Sequence, residues 1–314
     1  MKKNHFKVSI CVVTYNQAKY IKKCIDSMIN QDATFKYEIL VADDASTDGT
    51  QDILREYQSK YPELIKIILN ESNLGTVNNI KKLYQSAQGE YIAHIDGDDF
   101  AFPSKISAQA RALDENSDCT MCVHDVILVD GDDIIIANSF RNLPEKTYNI
   151  CDLYEQLPFF VHSSKMFRNI EGNMLQEQQG SNTLDIEVHV NQAKNGNIYF
   201  CKGPLGGYRR NVGVSNSNGK INPLLYEGME RVFEQAYLES TIGLAFIKKC
   251  HAKALFEFAY QSALFNDRNG LRFYIERSVD ILPFSFLQRA FFYLRYWPSA
   301  IIKICTFRKL ALSK

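Results

Sequence analysis

The sequence predicts an α/β fold: a mixed, Rossmann-like sheet with helices on both faces, followed by a mostly helical C-terminal region. Three observations carry that expectation. Short β-prone runs alternate with amphipathic helical stretches through the first hundred residues. Two of those runs, EILVADD and EYIAHIDGDD, pass straight into aspartates, as buried parallel strands do where their C-terminal ends open onto a crevice. Beyond Leu224 the strand signals stop, and aromatic and basic residues mix in sequence of helical propensity.

Residues 6–13 (FKVSICVV) form the first expected strand, and Thr14, Tyr15 and Asn16 the polar turn after it. A helix over Lys19–Asn30 follows, with Ile21, Cys24, Ile25, Met28 and Ile29 on one stripe. Residues 37–42 make the second strand, Asp43–Gly49 a loop of turn formers, and Thr50–Tyr61 a helix that Pro62 ends. Ile65–Leu69 is the third strand, Val77–Ala87 a helix stopped by Gly89, and Tyr91–Ile95 the fourth strand. Such βαβ alternation builds a parallel sheet, with 91–95 at its centre. Pro103 starts a helix near Lys105–Asn116, and Thr120–Val129 pairs with Asp133–Asn138 across an Asp130-Gly131-Asp132 turn. Between Arg141 and Asn182 the pattern weakens, and mobility is expected near Gly180-Ser181-Asn182. Leu184–Asn195 reads as a helix capped by Gly196, Ile198–Cys201 as a brief strand, and Gly206–Gly219 as a loop. Clustered Asn, Ser, Gly and Pro at 216–223 set a boundary, giving expected domains 1–218 and 219–314.

The 314 residues include 36 Lys plus Arg and 36 Asp plus Glu, a formal net charge of +0. No nucleic-acid partner is expected, because that needs a basic footprint. An apolar fraction of 46% beside 23% charged residues supports a substantial core. The apolar stretch behind the basic start is short and alternates like a strand, unlike a signal peptide, and no run of about 18 apolar residues offers a spanning helix. Eight cysteines lie in apolar contexts, which fits reduced thiols and a cytoplasmic location. Cys119 and Cys122 form a CxxC with His124 beyond it, but no second ligand pair follows, so strand lining is the preferred reading over zinc.

Four constellations can carry chemistry. In Asp96-Gly97-Asp98-Asp99, Gly97 permits a tight turn that lets carboxylates converge, and their hard oxygens suit Mg²⁺ or Mn²⁺ holding a diphosphate. An Asp-rich surface turn is the bland alternative. At Asp43-Asp44, Asp44 can accept from a nucleobase N–H or a ribose hydroxyl, while Ser46, Thr47 or Asp48 caps the next helix. Asp185 starts a helix near Glu187 and His189; the helix dipole favours its ionised form, as a general base requires, though an ordinary first-turn aspartate looks the same. Tyr208-Arg209-Arg210 offers an arginine clamp for a diphosphate, or a solvated basic turn. No GxGxxG opens an early βα turn, and no P-loop or GxSxG occurs, which disfavours dinucleotide binding, ordinary NTPase chemistry and serine hydrolysis.

The ordered series VSICVVTYNQAKYIKKCIDSMINQ, EILVADDASTDGT, NESNLGTVNN and GEYIAHIDGDD resembles the family-two glycosyltransferases of the GT-A fold. The resemblance continues through Lys105-Ile106-Ser107-Ala108-Gln109, Asp185-Ile186-Glu187 and YRRNVGVS, covering about residues 6–216. It implies a metal-dependent, inverting transfer of a sugar from a nucleoside diphosphate, most often UDP, to an acceptor hydroxyl. Thr14 and Tyr15 match positions lining the nucleotide, and Asp44 the acid that contacts uracil. Asp96 matches the ribose side and Asp98 the metal side of the DxD pair, with Asp99 helping to place the donor sugar. Asp185 matches the catalytic base, and in the mechanism that follows a metal and the Arg209 region neutralise the diphosphate. A histidine common after Tyr-Arg is replaced here by Asn211, and a common proline by Val13.

Residues 224–314 lie outside the resemblance. The segment ILPFSFLQRAFFYLRYWPSAIIKICTF mixes Arg289, Arg295 and Lys303 with bulky apolar residues around Trp297. That composition fits a helix lying in a membrane interface, which suits a lipid-linked glycan acceptor and a peripheral place on the cytoplasmic face. It also fits a helix packed on the catalytic domain or a homodimer contact. The rival classes are a catalytically idle sugar-nucleotide-binding scaffold, which has no need of Asp185, and a nucleotidyltransferase. The latter wants a Gly-rich basic loop where Thr14-Tyr15-Asn16-Gln17 stands.

Overall fold

Nine residues, Phe6–Thr14, form β1, the strand around which the computed structural model is built; it describes residues 6–170, 183–210, 220–239 and 242–303. The triplet Gly180-Ser181-Asn182, Asn211 and part of the expected 216–223 boundary lie outside the described residues. After β1 come α1 (Ile21–Ile29), β2 (Tyr37–Asp43), α2 (Thr50–Lys60), β3 (Ile65–Leu69), α3 (Thr76–Gln85) and β4 (Gly89–Asp96). Next are β5 (Phe100–Ala101), α4 (Lys105–Glu115), β6 (Cys119–Val129), β7 (Ile135–Ala137), β8 (Lys146–Tyr148) and α5 (Ile150–Glu155). A 3₁₀ turn at His162–Ser164, β9 (Met166–Arg168), α6 (Asp185–Ala193) and β10 (Asn197–Arg209) follow.

The strands among the described residues join one sheet in the order β3-β2-β1-β4-β9-β6-β10-β5, with β7 on β6 and β8 on β10. β3, β2, β1 and β4 run parallel, and β9 is antiparallel to both β4 and β6. The order reverses at β1, so β1 and β4 leave a crevice at their C-terminal ends where ligands bind in such sheets. Register sets what lines it: Thr14 pairs with Asp43 and Val13 with Asp96. Strand alternation buries Val8, Ile10, Val12, Ile39, Val41, Ala93 and Ile95 in one apolar cluster. Ile21, Ile25 and Met28 of α1 and Ile106 and Leu113 of α4 belong to the same cluster. Truncating any of the large ones to Ala costs about 2–5 kcal/mol.

Several expectations need correction. Gly89 opens β4 instead of stopping a helix, because a Cβ there would overlap the Ser9 backbone. Gly196 is no left-handed cap either; a Cβ at that position would stand 2.6 Å from Thr120 Cγ2. The brief strand expected at 198–201 runs on to Arg209, through register shifts, and the loop expected from Gly206 begins as strand. Gly206 and Gly207 serve close packing there: they pair with Ala101 and Phe100, and a Cβ on Gly207 would enter the Phe100 ring. The sulfurs of the CxxC meet different neighbours, Cys122 at 3.3 Å from Cys201 and Cys119 at 3.8 Å from Thr147, so the pair does not act as one chelate.

The chain divides into one unit of 1–150 with 158–212 and a second of 151–157 with 213–314, so residues 151–157 join the helical part contrary to the expected 1–218 and 219–314. The second unit contains α7 (Pro223–Leu238), α8 (Leu244–Leu264), α9 (Arg268–Ile281) and α10 (Phe286–Leu294). Tyr154 lies 5.8 Å from Phe233, which stacks on His251 at 4.5 Å. Phe291 is fully buried against Phe256 at 5.1 Å, and Gln288 donates to Ser278 Oγ at 2.8 Å. Part of the aromatic tail is therefore core of its own unit. No described helix is long and apolar enough to cross a membrane.

Candidate active site

The two loops that rim the crevice are stitched to each other. Asn16 N–H donates to Ser46 Oγ at 2.8 Å, Thr47 N–H to Asn16 Oδ1 at 2.9 Å, and Ala18 N–H to Asp48 Oδ2 at 2.9 Å. Asp48 also receives Thr50 N–H at 3.1 Å from one residue before the N-cap Gly49, while Ser46 and Thr47 brace the loops. Asp43 turns into the protein, accepting Ser46 N–H and Gln51 Nε2–H. Asp44 is 3% exposed and accepts from Leu74 N–H at 2.8 Å, Gly75 N–H at 3.0 Å and Asn70 Nδ2 at 3.1 Å. That fixes the loop before α3 and leaves Oδ2 with capacity for one more donor. Thr14 is buried, its Oγ1 without a partner among the described residues, and Tyr15 is half exposed.

Gly97 leaves space for its neighbours and has no unusual φ. A Cβ there would lie 2.5 Å from Gln17 Oε1 and 3.0 Å from Thr14 Cβ. Gln17 bonds the Asp98 carboxylate, while its Oε1 has no partner among the described residues. Burial, then the Asp96 charge, push the Asp98 carboxyl up to about 6. Asp98, Gln17 Oε1 and Thr14 Oγ1 are all hard oxygens, a donor set that fits Mg²⁺ or Mn²⁺. Among the described residues no three His, Cys, Asp or Glu side chains converge as a cage. A cation held by one or two carboxylates and completed by phosphate and water needs none.

Asp99 and Arg209 are both engaged within the protein. Asp99 is 2% exposed, 2.5 Å from Ser163 Oγ, and accepts Arg209 N–H at 2.8 Å, so it braces β10. The Arg209 guanidinium donates to Asp98 O at 2.9 Å, Asp130 O at 2.7 Å and Asp133 Oδ1 at 2.7 Å, and lies over the Tyr20 ring. Its side chain is 1% exposed. It rivets the DGDD backbone to the β6–β7 hairpin, and Arg210 is the exposed cation of the pair.

Beneath the carboxylates lies a polar layer that no motif announced. His94 Nε2 is 3.1 Å from Asp96 Oδ1, and His94 Nδ1 is 2.9 Å from the Tyr84 hydroxyl. Ser163 Oγ is 3.1 Å from Asp96 Oδ2 and accepts Asp96 N–H at 3.0 Å. The turn carrying Ser163 is fastened from α4: Lys105 Nζ donates to Ser163 O, and Gln109 Nε2 to Ser164 O at 2.8 Å. Burial pushes Lys105 down to about 8. The Lys105–Gln109 run therefore has a structural task at the site. The only local signal for this layer was the polar His94 inside an apolar strand.

Asp185 opens α6, and its Oδ1 stands 3.7 Å from His162 Nδ1, which is 2.9 Å from His189 Nε2. Burial holds both histidines well below their ordinary pKa, hence neutral. The helix dipole was expected to keep Asp185 ionised, yet burial, followed by the Asp96 charge, raises its carboxyl to about 7 against the pull of Lys165. Its side chain is 58% accessible, so it stands in an open recess where solvent screens part of that burial and Asp96 sustains the upward direction. Glu187 is committed elsewhere: its Oε2 accepts Leu184 N–H at 2.7 Å as a cap.

The family model described as "Glycosyl transferase family 2" matches residues 9–170. An uncharacterized protein of Mycobacterium tuberculosis is 32% identical over 212 residues, 65% of this chain and 59% of that protein. An uncharacterized glycosyltransferase of Methanocaldococcus jannaschii is 31% identical over 163 residues, 52% of this chain and 56% of its own length. The chain thus spans under three fifths of the length of these curated relatives. Among solved structures, residues 1–349 of S. aureus TarS in complex with UDP align with a TM-score of 0.63 and 21% identity, over 96% of this chain and 91% of that one. At that identity the likeness shows the fold.

Proposed function

The chain belongs to glycosyl transferase family 2, and from that premise we propose that it moves a sugar from a nucleoside diphosphate, UDP first among them, to an acceptor hydroxyl in one inverting displacement. One observation carries the reading: carboxylates close β4 at Asp96 and Asp98, and Asp185, which opens α6, is near enough for the Asp96 charge to raise its carboxyl. A single displacement needs one base, not the carboxylate pair of a hydrolase. The UDP held by the solved TarS neighbour supports the nucleotide.

In this reading Thr14, Tyr15 and Asp44 line the nucleoside, and Asp96 takes the ribose side. Asp98, with Gln17 beside it, holds Mn²⁺ or Mg²⁺, which when bound neutralises the diphosphate and eases its departure. Arg210 takes the place first given to Arg209 in facing the diphosphate. Asp185 accepts the proton of the acceptor hydroxyl as its oxygen attacks the anomeric carbon from the face opposite the diphosphate. The bond to the diphosphate breaks as the new one forms, so the configuration inverts. A polysaccharide or lipid-linked glycan is the acceptor class.

The test is calorimetry of UDP with Mn²⁺ and with EDTA, on the native protein and on Asp98→Ala, with the anomeric configuration of product read by NMR. Binding that depends on the metal and disappears in a variant of unchanged melting temperature is the expected result. A variant that keeps its metal-dependent affinity would remove Asp98 from the metal site, and a retained configuration would remove the single displacement.

A further inference from the structure

The turn His162–Ser164 touches both acidic centres of the site. From its middle, Ser163 Oγ reaches Asp96 and Asp99 behind the end of β4. From its first residue, His162 Nδ1 faces α6, 2.9 Å from His189 Nε2 and 3.7 Å from Asp185 Oδ1. Asp185 and His189 are four residues apart and so share a face of that helix. The turn is itself held: Lys105 Nζ donates to Ser163 O and Gln109 Nε2 to Ser164 O, and the His94 ring packs edge-on against His162 at 4.0 Å. His162 is buried, whereas the Asp185 side chain is 58% accessible. An accessible aspartate samples several rotamers unless a neighbour fixes it, and each aims its lone pairs differently.

Both histidines are neutral, so each ring carries one proton. His162 Nε2 is buried with no partner among the described residues, and a proton there would be an orphaned donor. On Nδ1 the same proton meets His189 Nε2 as acceptor, with Asp185 Oδ1 beside it. The opposite tautomer would also turn a bare Nδ1 lone pair toward an ionised carboxylate. Both considerations put the proton on Nδ1. At 3.7 Å the contact with Asp185 is longer than a hydrogen bond, and contacts of this kind tighten when substrate orders the site. We infer that His162 is the positioning residue for the base: its Nδ1–H steadies one oxygen of Asp185 so that the other meets the acceptor hydroxyl, and the turn it shares with Ser163 sets that carboxylate relative to Asp96. The inference rests on the transferase reading and deepens it, since it says what aims the base.

Two readouts test it. Heteronuclear NMR of nitrogen-labelled histidines reads the tautomer with no substrate present, at a pH of about 8, where Asp185 is ionised. The His162 resonance, assigned by its loss in His162→Asn, should show the proton on Nδ1; a proton on Nε2 overturns the inference. The second readout is Mn²⁺-dependent release of UDP from UDP-glucose and UDP-galactose, with water as acceptor. His162→Leu removes the donor and should lower kcat by about tenfold or more, the scale of a slightly misplaced reacting group, while UDP affinity by calorimetry stays within about twofold. The amide nitrogen of His162→Asn is bonded to Cγ as Nδ1 is, so this variant should return kcat to within about threefold of native. A Leu variant with native kcat overturns the inference. So does one whose kcat and UDP affinity fall together, because the effect would then run through His94 and Asp96. Should the Leu variant fail to fold, judged by its melting curve, the tautomer and the Asn variant decide. Failure of the native protein to bind UDP would instead strike the transferase reading, and the tautomer would still decide the contact.

Discussion

His94 Nε2 lies 3.1 Å from Asp96 Oδ1, two positions away on the same face of β4. Burial lowers the His94 pKa, so the ring is neutral and its one proton belongs on Nε2, facing the carboxylate. Nδ1 then accepts from the Tyr84 hydroxyl at 2.9 Å. With Ser163 Oγ 3.1 Å from Oδ2, both oxygens of Asp96 are held.

His94→Leu should therefore loosen Asp96 without touching the ligand. Supporting partners of this kind are worth about 10–100-fold in affinity or activity. UDP affinity by calorimetry should fall on that scale, and an orphaned Tyr84 hydroxyl should lower stability by about 1–3 kcal/mol in urea titrations. Native affinity in the variant would show that Asp96 needs no such support.

Much of the frame was legible in the sequence because its causes are local. Alternation marks β1 and β4, and a β-prone run that ends in DGDD places carboxylates at a strand end. What was missed depends on partners far away in the chain. Asp99 turns inward because Arg209 N–H, arriving on β10, lies beside it. Arg209 is spent because the hairpin carbonyl of Asp130 waits for it. Gly89, Gly196 and Gly206 looked like punctuation, yet each is set by a neighbour pressing where a Cβ would stand. No local pattern encodes a Ser163 that bridges Asp96 and Asp99 from a turn more than sixty residues later.

Asp185 sets a pH dependence for transfer. A base must be unprotonated, and the Asp96 charge holds its carboxyl above the ordinary carboxylate range, so kcat should climb with pH above that range and then level off. Asp185→Asn should cost about 10²–10⁴-fold in kcat and flatten that limb. Lys165 pulls the carboxyl down, so Lys165→Met should move the limb to higher pH. Glu187 is held as a cap and should not rescue the Asn variant. A limb that persists in Asp185→Asn would assign it to another group.

Asp125 sets a pH dependence for folding. Burial alone would raise its carboxyl, but the Ser139 hydroxyl and the N–H groups of Phe140, Arg141 and Val126 outweigh that and hold it below the ordinary 3.8. A carboxyl lowered on folding contributes stability above its unfolded pKa and loses it as pH falls through the folded value. Asp125→Ala should lose about 1–3 kcal/mol at pH 7, and more where several orphaned N–H groups stay dry. In urea titrations the gap between variant and native protein should narrow as pH drops below about 4. A gap that is constant with pH would mean that packing, not the carboxylate, matters there.

The C-terminal helix α10 has two faces. Gln288 and Phe291 are buried in their own unit, whereas Phe286 and Tyr293 are 87% and 71% exposed, with Arg289 exposed between them at helical spacing. Trp297, beyond the helix, is 63% exposed. Removing the whole tail would strip Phe291 from the core, so the membrane proposal is better tested on the outer face alone. Aromatic rings at headgroup depth and basic side chains on an anionic surface should hold the protein to vesicles containing phosphatidylglycerol. High salt should release part of it by screening the charges. Replacing Phe286, Tyr293 and Trp297 together with Ser should abolish most co-sedimentation, because the apolar anchor is lost while Phe291 stays buried. Equal sedimentation of the triple variant, or no sedimentation of the native protein, would show that this face meets no membrane; a change in oligomer size by light scattering would then assign it to a second copy of the chain.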